Sequence, residues 1–345
     1  MFRALPYSQI DIIGAFFISL ILSYLLTPAA GLAAMKIGLV DRPSSRKAHA
    51  HPTPLLGGVA IFIAFFLAIL FTVGMDRNFI AITIGGGILL SIGLIDDKIG
   101  MMPELKLFGQ LVAALIVVKM GIRVDFIKNY YLSLIFSCVW IIGITNAINI
   151  LDNLNGLSSG IAAISAFFFS LLAWKRGDLC VATLAIALCG SSMGFLRHNF
   201  PKAKIFMGDA GSLFIGFLLA TLAILGNWSS PTQITSLAIP ILILGYPIFD
   251  TILVTISRMR QRRSIFDGGK DHSSHRLALL GLKKKRAVLL IFFINFCLGL
   301  SGYILSKLKT PASAILIMVI VFLCMIALGI RLGMVTVGSK GRRRG

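Results

Sequence analysis

The amino-acid sequence specifies an all-α polytopic membrane protein, with about 10–11 transmembrane helices and its polar chemistry carried by loops on one side. Three observations require it. Hydrophobic residues make up 57% of the 345, and the mean hydropathy is +0.92, more apolar surface than a soluble core of this length can hide. Apolar runs long enough to span a bilayer then recur along the chain, near residues 10–30, 55–74, 79–95, 105–121, 131–150, 156–173, 178–196, 211–226, 234–256, 287–306 and 311–333. The organisation is one membrane domain over 1–345, with a long basic loop at 257–286 and a basic tail at 334–345.

The first run is followed by Ala29, Ala30, Gly31, Ala33 and Ala34, a pattern that also marks signal cleavage. The run is long for a signal, and the loop behind it carries a motif that later helices need, so it reads as an uncleaved first helix. With the N-terminus outside, most of the 33 lysines and arginines fall on inside segments, among them Arg46, Lys47, Arg258, Arg260, Arg262, Arg263, Lys283, Arg286, Arg342 and Arg344. The net charge of +20 is thus topological: it suits anionic lipid and gives no reason to invoke nucleic acid. Cys138, Cys180, Cys189, Cys297 and Cys324 lie in apolar runs without metal-type spacing, which argues for helix packing over disulfides or zinc.

The first inside loop, DRPSSRKAHAHPTPLLGG from Asp41 to Gly58, is rich in phosphate-binding residue types. Arg46 and Lys47 suit a diphosphate, and Gly57 and Gly58 permit close approach at the next helix start. Positive-inside anchoring would explain the two cations but not His49, Pro52, Thr53 and Pro54. The second loop opens on Asp96 and Asp97, followed by Lys98. Adjacent carboxylates at a membrane boundary call for a cation, either a metal or Lys98, and their repulsion can yield a base for proton removal; a solvated cap outside the bilayer is the competing reading. In the third, NAINILDNLNGLSSG, the residues Asn149, Asp152 and Asn155 recur at threes, which places them on one face of a helix end, where amides and a carboxylate suit magnesium or a base and sugar.

The fourth loop carries Arg197, His198, Asn199, Phe200, Pro201, Lys202 and Lys204 and leads into IFMGDAGSL. There Asp209 stands among small residues as a hard oxygen ligand, with Ser212 placed to cap the following helix; a plain capped turn is the alternative. The fifth loop contains SIFDGGKDHSSHRL, with His272 and His275 at i and i+3 beside Asp267, Lys270, Asp271 and Arg276, a set that fits phosphate better than zinc. Asp250, inside the ninth apolar run, is costly at that depth unless it pairs with Lys or Arg or accepts hydrogen bonds. Every polar cluster falls on the same side of the membrane.

These motifs, DRPSSRKAHAHPTPLLGG, Asp96–Asp97, NAINILDNLNGL, NFPKAKIFMGDAGS, PIFDT and KDHSSHRL, resemble those of the polyprenyl-phosphate N-acetylhexosamine-1-phosphate transferases over nearly the whole chain, on the WecA-type branch more than that of the phospho-MurNAc-pentapeptide translocases. The resemblance implies transfer of a sugar 1-phosphate from a UDP-sugar to a polyprenyl phosphate with release of UMP, the first membrane step of a cell-envelope glycan. It implies Mg2+ (Mn2+ as a substitute) on Asp209 with Asn149, and activation of the lipid phosphate by Asp96 or Asp97. Phe206 would stack on uracil. Asp152 and Asn155 fall on the nucleoside side, and His272, His275 and Arg276 near the diphosphate and sugar, with Lys47, His49, Thr53 and Asn199 as further substrate contacts. The implied setting is the bacterial inner membrane with a cytoplasmic active site and C-terminus; a homodimer is compatible with it. Two departures stand out. The usual Asp-Gly-x-Asp-Gly reads Asp152-Asn153-Leu154-Asn155-Gly156, and the usual His-x-His-His reads His272-Ser273-Ser274-His275. Among other classes, a transporter would carry charge near the midplane in repeated halves, and a headgroup-binding scaffold would not need Asp96, Asp97 and Asp209.

Overall fold

The computed structural model describes the chain except for residues 1–7, 43–51, 73, 75, 227, 229–232, 265–268, 270, 309 and 336–345. The described residues form α1 (Gln9–Lys36), β1 (Val40–Asp41), β2 (Thr53–Pro54), α2 (Gly57–Thr72), α3 (Arg77–Ile99), α4 (Pro103–Lys119), α5 (Tyr130–Leu151), α6 (Leu157–Lys175), α7 (Leu179–Asn199), α8 (Gly208–Leu225), α9 (Gln233–Ile243), α10 (Gly245–Arg260), α11 (Ser273–Leu279), α12 (Lys284–Leu305) and α13 (Pro311–Gly333). Each expected apolar run is helical. Among the described residues, eight helices are long and apolar enough to cross a membrane, or nine if the bent pair α9–α10 counts as one. The difference from the expected number lies in α2, with 16 residues, and α4, with 17, each shorter than about 30 Å of hydrocarbon core demands at 1.5 Å per residue.

The expected ninth span over 234–256 is two helices, bent by 74° where they meet. Pro247 has no N–H to give to the carbonyl of Ile243 one turn earlier, so the helix cannot run straight through. The freed carbonyl is satisfied from a neighbouring helix: Ser165 Oγ donates to Ile243 O at 2.9 Å, and Asn295 Nδ2 donates to Ser165 Oγ at 3.2 Å.

Packing inside the bundle uses small residues, because lipid tails give apolar side chains no reason to leave them for one another. On α1 the buried positions Ala15, Ser19, Ser23, Thr27 and Gly31 recur every fourth residue; Ser19 and Ser23 meet Gly190 and Gly194 of α7, Ser23 Oγ donates to Ser191 O at 2.6 Å, and Gly31 lies against Pro54 and Ile205. α8 is the centre, packed on α2, α3, α5, α6 and α7 and buried along nearly all its length. α13 is peripheral, burying only Ala314 and Leu332 and turning the rest of its apolar surface outward.

Helix starts differ between the two ends, α13 excepted, which begins at the far end on Thr310 with no side-chain cap. Ser8, Asp76, Asn129 and Asp178 cap α1, α3, α5 and α7 with their own side chains, at the end away from the polar loops. At the loop end, α4, α6, α8 and α12 start with no side-chain cap from the capping residue. Unsatisfied N–H groups and positive dipole ends therefore gather where the polar loops are.

Candidate active site

The site is built around the first turn of α8, which begins at Gly208, earlier than the apolar run alone suggests. Ser212 is consequently not its cap but lies one turn inside, with Oγ donating to Gly208 O at 3.2 Å. The cap comes from α3: Asp97 Oδ1 accepts from Asp209 N at 2.9 Å and Oδ2 from Ala210 N at 3.2 Å. A carboxylate on two orphan N–H groups at a helix start is favoured both by hydrogen bonding and by the dipole. The approach this needs depends on missing side chains, since a Cβ on Gly93 would strike the Ala210 backbone and one on Gly58 the Gly211 backbone. Gly58 and Gly57 thus serve helix contact, and their N–H groups bond to Met207 O at 2.9 Å and Phe206 O at 3.0 Å.

Asp209, so held, meets three elements. Lys106 of α4 donates through Nζ to Asp209 Oδ2 and to Asp96 Oδ2, the latter at 2.7 Å. Asn149, in the last turn of α5, donates through Nδ2 to Asp209 Oδ1 at 3.0 Å and to Ser212 Oγ at 2.8 Å. Asp96 Oδ1 is bonded by Met101 N at 2.7 Å. The cation that the acidic pair called for is therefore Lys106, not Lys98. The sequence did carry a signal for it, a lysine inside the fourth apolar run, where an ionisable group is costly without a partner.

The other expected site residues separate into those at the centre and those that brace it. Asp152 follows the end of α5, so the threefold spacing does not continue on one helix face: Asn155 lies in the turn beyond, with Nδ2 donating to Pro201 O at 3.4 Å. Removal from solvent, with the charges of Asp209 and Asp97 nearby, pushes the Asp152 carboxyl up to about 7. Phe206 is half-buried on the segment tied by Phe206 N to Pro54 O at 2.8 Å, and Thr53, in β2 paired with β1, is buried next to it. Asn199 is spent on the backbone, accepting from Gly156 N at 2.5 Å and donating to Ile205 O at 2.7 Å, and so joins the loop after α5 to the one before α8. Arg46, Lys47, His49, Asp267, Lys270, Arg342 and Arg344 lie outside the described residues.

The segment around α11 is held by buried polar contacts. Burial would raise the Asp271 carboxyl, but the Arg258 guanidinium, bonding it at 2.8 and 3.1 Å, holds it below its ordinary value. Arg276 donates to Asp271 O at 2.7 Å, Leu332 O at 3.0 Å, Val335 O at 3.1 Å and Ser257 Oγ at 2.6 Å, so its guanidinium ties α11 to α10 and the end of α13. The rings of His272 and His275 lie 6.2 Å apart. Asp250 is buried and, among the described residues, takes no Lys or Arg in hydrogen bonding; it accepts from His272 and Ser273. The two departures from the family motifs meet: Ser274 Oγ donates to Asn153 Oδ1 at 2.6 Å, docking this segment on the turn after α5.

Among the described residues, no group of three or more His, Cys, Asp or Glu side chains is arranged to hold a metal ion. The donor set still fits magnesium, which is bound through one or two carboxylates and takes its remaining ligands from water and substrate phosphates. Asp209 and Asp96, both reached by Lys106, are such a set, with the Asn149 amide against Asp209. Beside Lys106 an open groove of about 610 Å³ runs between α4 and α5, lined by Leu107, Phe108, Leu111, Val139 and Ile142 with Glu104 on its wall.

Residues 79–227, which carry Asp96, Asp97, Lys106, Asn149, Asp152 and Asp209, match glycosyl transferase family 4. A probable undecaprenyl-phosphate N-acetylglucosaminyl 1-phosphate transferase of Bacillus subtilis is 37% identical over 330 residues, covering 92% of each chain. The chain belongs to this family. A decaprenyl-phosphate N-acetylglucosaminephosphotransferase of Mycolicibacterium smegmatis is 32% identical, covering 83% of this chain and 80% of its own. A phospho-N-acetylmuramoyl-pentapeptide-transferase of Bacillus velezensis is also 32% identical, covering 84% and 95%. Family membership thus extends over both sides of the site, including the α10–α11 segment beyond residue 227.

Proposed function

We propose that the protein is a magnesium-dependent phosphoglycosyltransferase of the bacterial inner membrane, transferring N-acetylhexosamine 1-phosphate, most simply GlcNAc 1-phosphate, from a UDP-sugar to a polyprenyl phosphate on the cytoplasmic side. The observation that carries this reading is the convergence of Asp96, Lys106, Asn149 and Asp209 from four helices at one end of the bundle, in a chain similar over 92% of its length to a GlcNAc-1-phosphate transferase. An oxygen of the lipid phosphate attacks the sugar-bearing phosphorus, the bond from that phosphorus to the bridging oxygen breaks, and UMP leaves with that oxygen. Both reactants are anions, so catalysis is chiefly positioning and charge compensation. Asp209 with Asp96 or Asn149 would hold magnesium, which when bound would supply charge stabilisation for the diphosphate.

The chain's own groups take the remaining roles. Asp96, at the rim with Lys106, accepts any proton left on the lipid phosphate, while Lys106 draws that phosphate in. Asp97, committed to two backbone N–H groups, orients Asp209 instead of acting as a base. Phe206 stacks on uracil, Asp152 and Asn155 flank the nucleoside, and His272 and His275 meet the diphosphate and sugar. The α4–α5 groove takes the first part of the prenyl chain, whose apolar surface it matches. The one-sided site speaks against a transporter.

Purified protein given UDP-GlcNAc, undecaprenyl phosphate and Mg2+ should release UMP, stop on chelation, and lose about 10²- to 10³-fold on Asp209→Asn with its thermal unfolding midpoint kept. No UMP release from UDP-GlcNAc, UDP-GalNAc or UDP-MurNAc-pentapeptide would overturn the reading; release from the last alone would move the protein to the pentapeptide-transferase branch.

A further inference from the structure

Asp250 is a buried carboxylate to which the transfer just described gives no task. It is 1% exposed, deep in α10, and its Oδ1 accepts two hydrogen bonds from Ser273, one of them from the backbone N–H at 2.8 Å. Its Oδ2 lies 2.9 Å from Nδ1 of His272, itself 5% exposed. Tyr246 OH, one turn earlier on α10, completes the set 2.7 Å from Ser273 Oγ.

The two oxygens do different work. Anchoring of α11 is already secured through Ser273, through Arg258 on Asp271, through the four bonds of Arg276 and through Ser274 on Asn153. The Oδ2–Nδ1 contact adds nothing that this anchorage lacks; what it does fix is the imidazole. A carboxylate oxygen can only accept, so Nδ1 must carry the proton, and the tautomer and the rotation of the ring are set together. The segment bearing His272 is meanwhile docked by Ser274 on the turn that begins at Asp152, one turn beyond the metal-side Asn149.

We propose that Asp250 is a positioning residue for the phosphoryl transfer: its carboxylate holds His272 with Nδ1 protonated, so that Nε2 keeps its lone pair and is presented as an acceptor to a hydroxyl of the substrate sugar. The assignment rests on the role given above to His272. It explains why an acidic residue is kept in an apolar helix without a lysine or arginine in hydrogen bonding, where a neutral side chain would pack at lower cost.

Asp250→Asn keeps an oxygen for Ser273 but turns an amide N–H toward Nδ1, which forces the other tautomer. Ring 15N signals of His272, assigned by their loss in His272→Gln, should report Nδ1 protonated in the unmodified protein and unprotonated in D250N. UMP release from UDP-GlcNAc with undecaprenyl phosphate should fall about 10- to 100-fold in D250N, and by less than about twofold when D250N is added to H272Q. Ser273→Ala, which removes a bond to Asp250 without touching the imidazole, should stay within about twofold of the unmodified rate and keeps the test decisive if D250N folds poorly.

Full additivity of D250N and H272Q, an unprotonated Nδ1 in the unmodified protein, or a loss in S273A as large as in D250N would each overturn the proposal and leave the transferase reading intact. A wild-type rate in H272Q would remove the role given to His272, and that of Asp250 with it.

Discussion

Lys106 decides the charge balance of the site, because one ammonium stands between two carboxylates that would otherwise repel, those of Asp96 and Asp209. In the proposed transfer the same ammonium meets the acceptor phosphate. Lys106→Gln should therefore lower UMP release by roughly 10²-fold, while Lys98→Gln, one residue past the acidic pair, leaves it near normal. Equal losses in the two variants would show that general basicity, not this contact, matters. Asp152 makes a separate, pH-dependent statement. Its carboxyl titrates near 7 in the folded chain against about 3.9 in an unfolded one, so the folded state holds a proton that the unfolded state releases between those values. The stability carried by the protonated form is present below about pH 4 and is lost as pH rises through 7. Asp152→Asn should accordingly gain thermal stability relative to the parent at pH 8 more than at pH 5. A difference that does not change with pH would refute the shifted titration.

Helix ends, more than helix bodies, make this site. Four helices capped by their own side chains begin at the far end, whereas α4, α6 and α8 begin at the end of the polar loops with no cap from their own capping residue. α8 borrows its cap from α3, which is why the two adjacent aspartates are not equivalent. Asp97→Asn should cost about 1 kcal/mol of stability by weakening the bonds to Asp209 N and Ala210 N, read as a lower unfolding midpoint in detergent. Asp96→Asn should spare stability and lose activity. The reverse pattern would exchange their roles. The break between α9 and α10 is a second structural device of this kind: it frees a carbonyl that Ser165 and Asn295 satisfy, and the second half of the broken span carries Asp250 and Arg258 to the α11 segment.

Taken as a bundle, the molecule is one-sided: Asp96, Asp97, Asp152 and Asp209, the histidine segment and the open α4–α5 groove lie toward one end, and α13 and much of α1 turn apolar faces outward. The distribution of Lys and Arg is the ground for proposing that this end faces the cytoplasm. In a background without the native cysteines, Lys202→Cys should react with an impermeant maleimide only after the membrane is opened, and Lys128→Cys, between α4 and α5, in intact cells. The opposite pattern would put the site outside, away from any cytoplasmic nucleotide sugar, and would sink the proposed donor.

Much of this was legible in the residues alone. Apolar runs and the placement of charge are local properties, so the helices and their shared polar end could be read directly, and the expected residues Asp96, Asp97, Asn149 and Asp209 do come together at the start of α8. What a polar group bonds to is not local. Asp97 meets the N–H of Asp209 112 residues away, Lys106 reaches the same aspartate across 103, and Asn199, expected at the substrate, instead braces Gly156 across 43. Arg276, rich in donors and so read as a phosphate ligand, spends them on carbonyls and a hydroxyl that only packing brings near. Residue type and spacing thus indicated the helices and the polar clusters that share one end of the bundle. The tertiary structure alone decided which groups face the substrates and which hold the others in place, because in a low-dielectric interior each donor and acceptor must be satisfied by whatever neighbour the fold supplies.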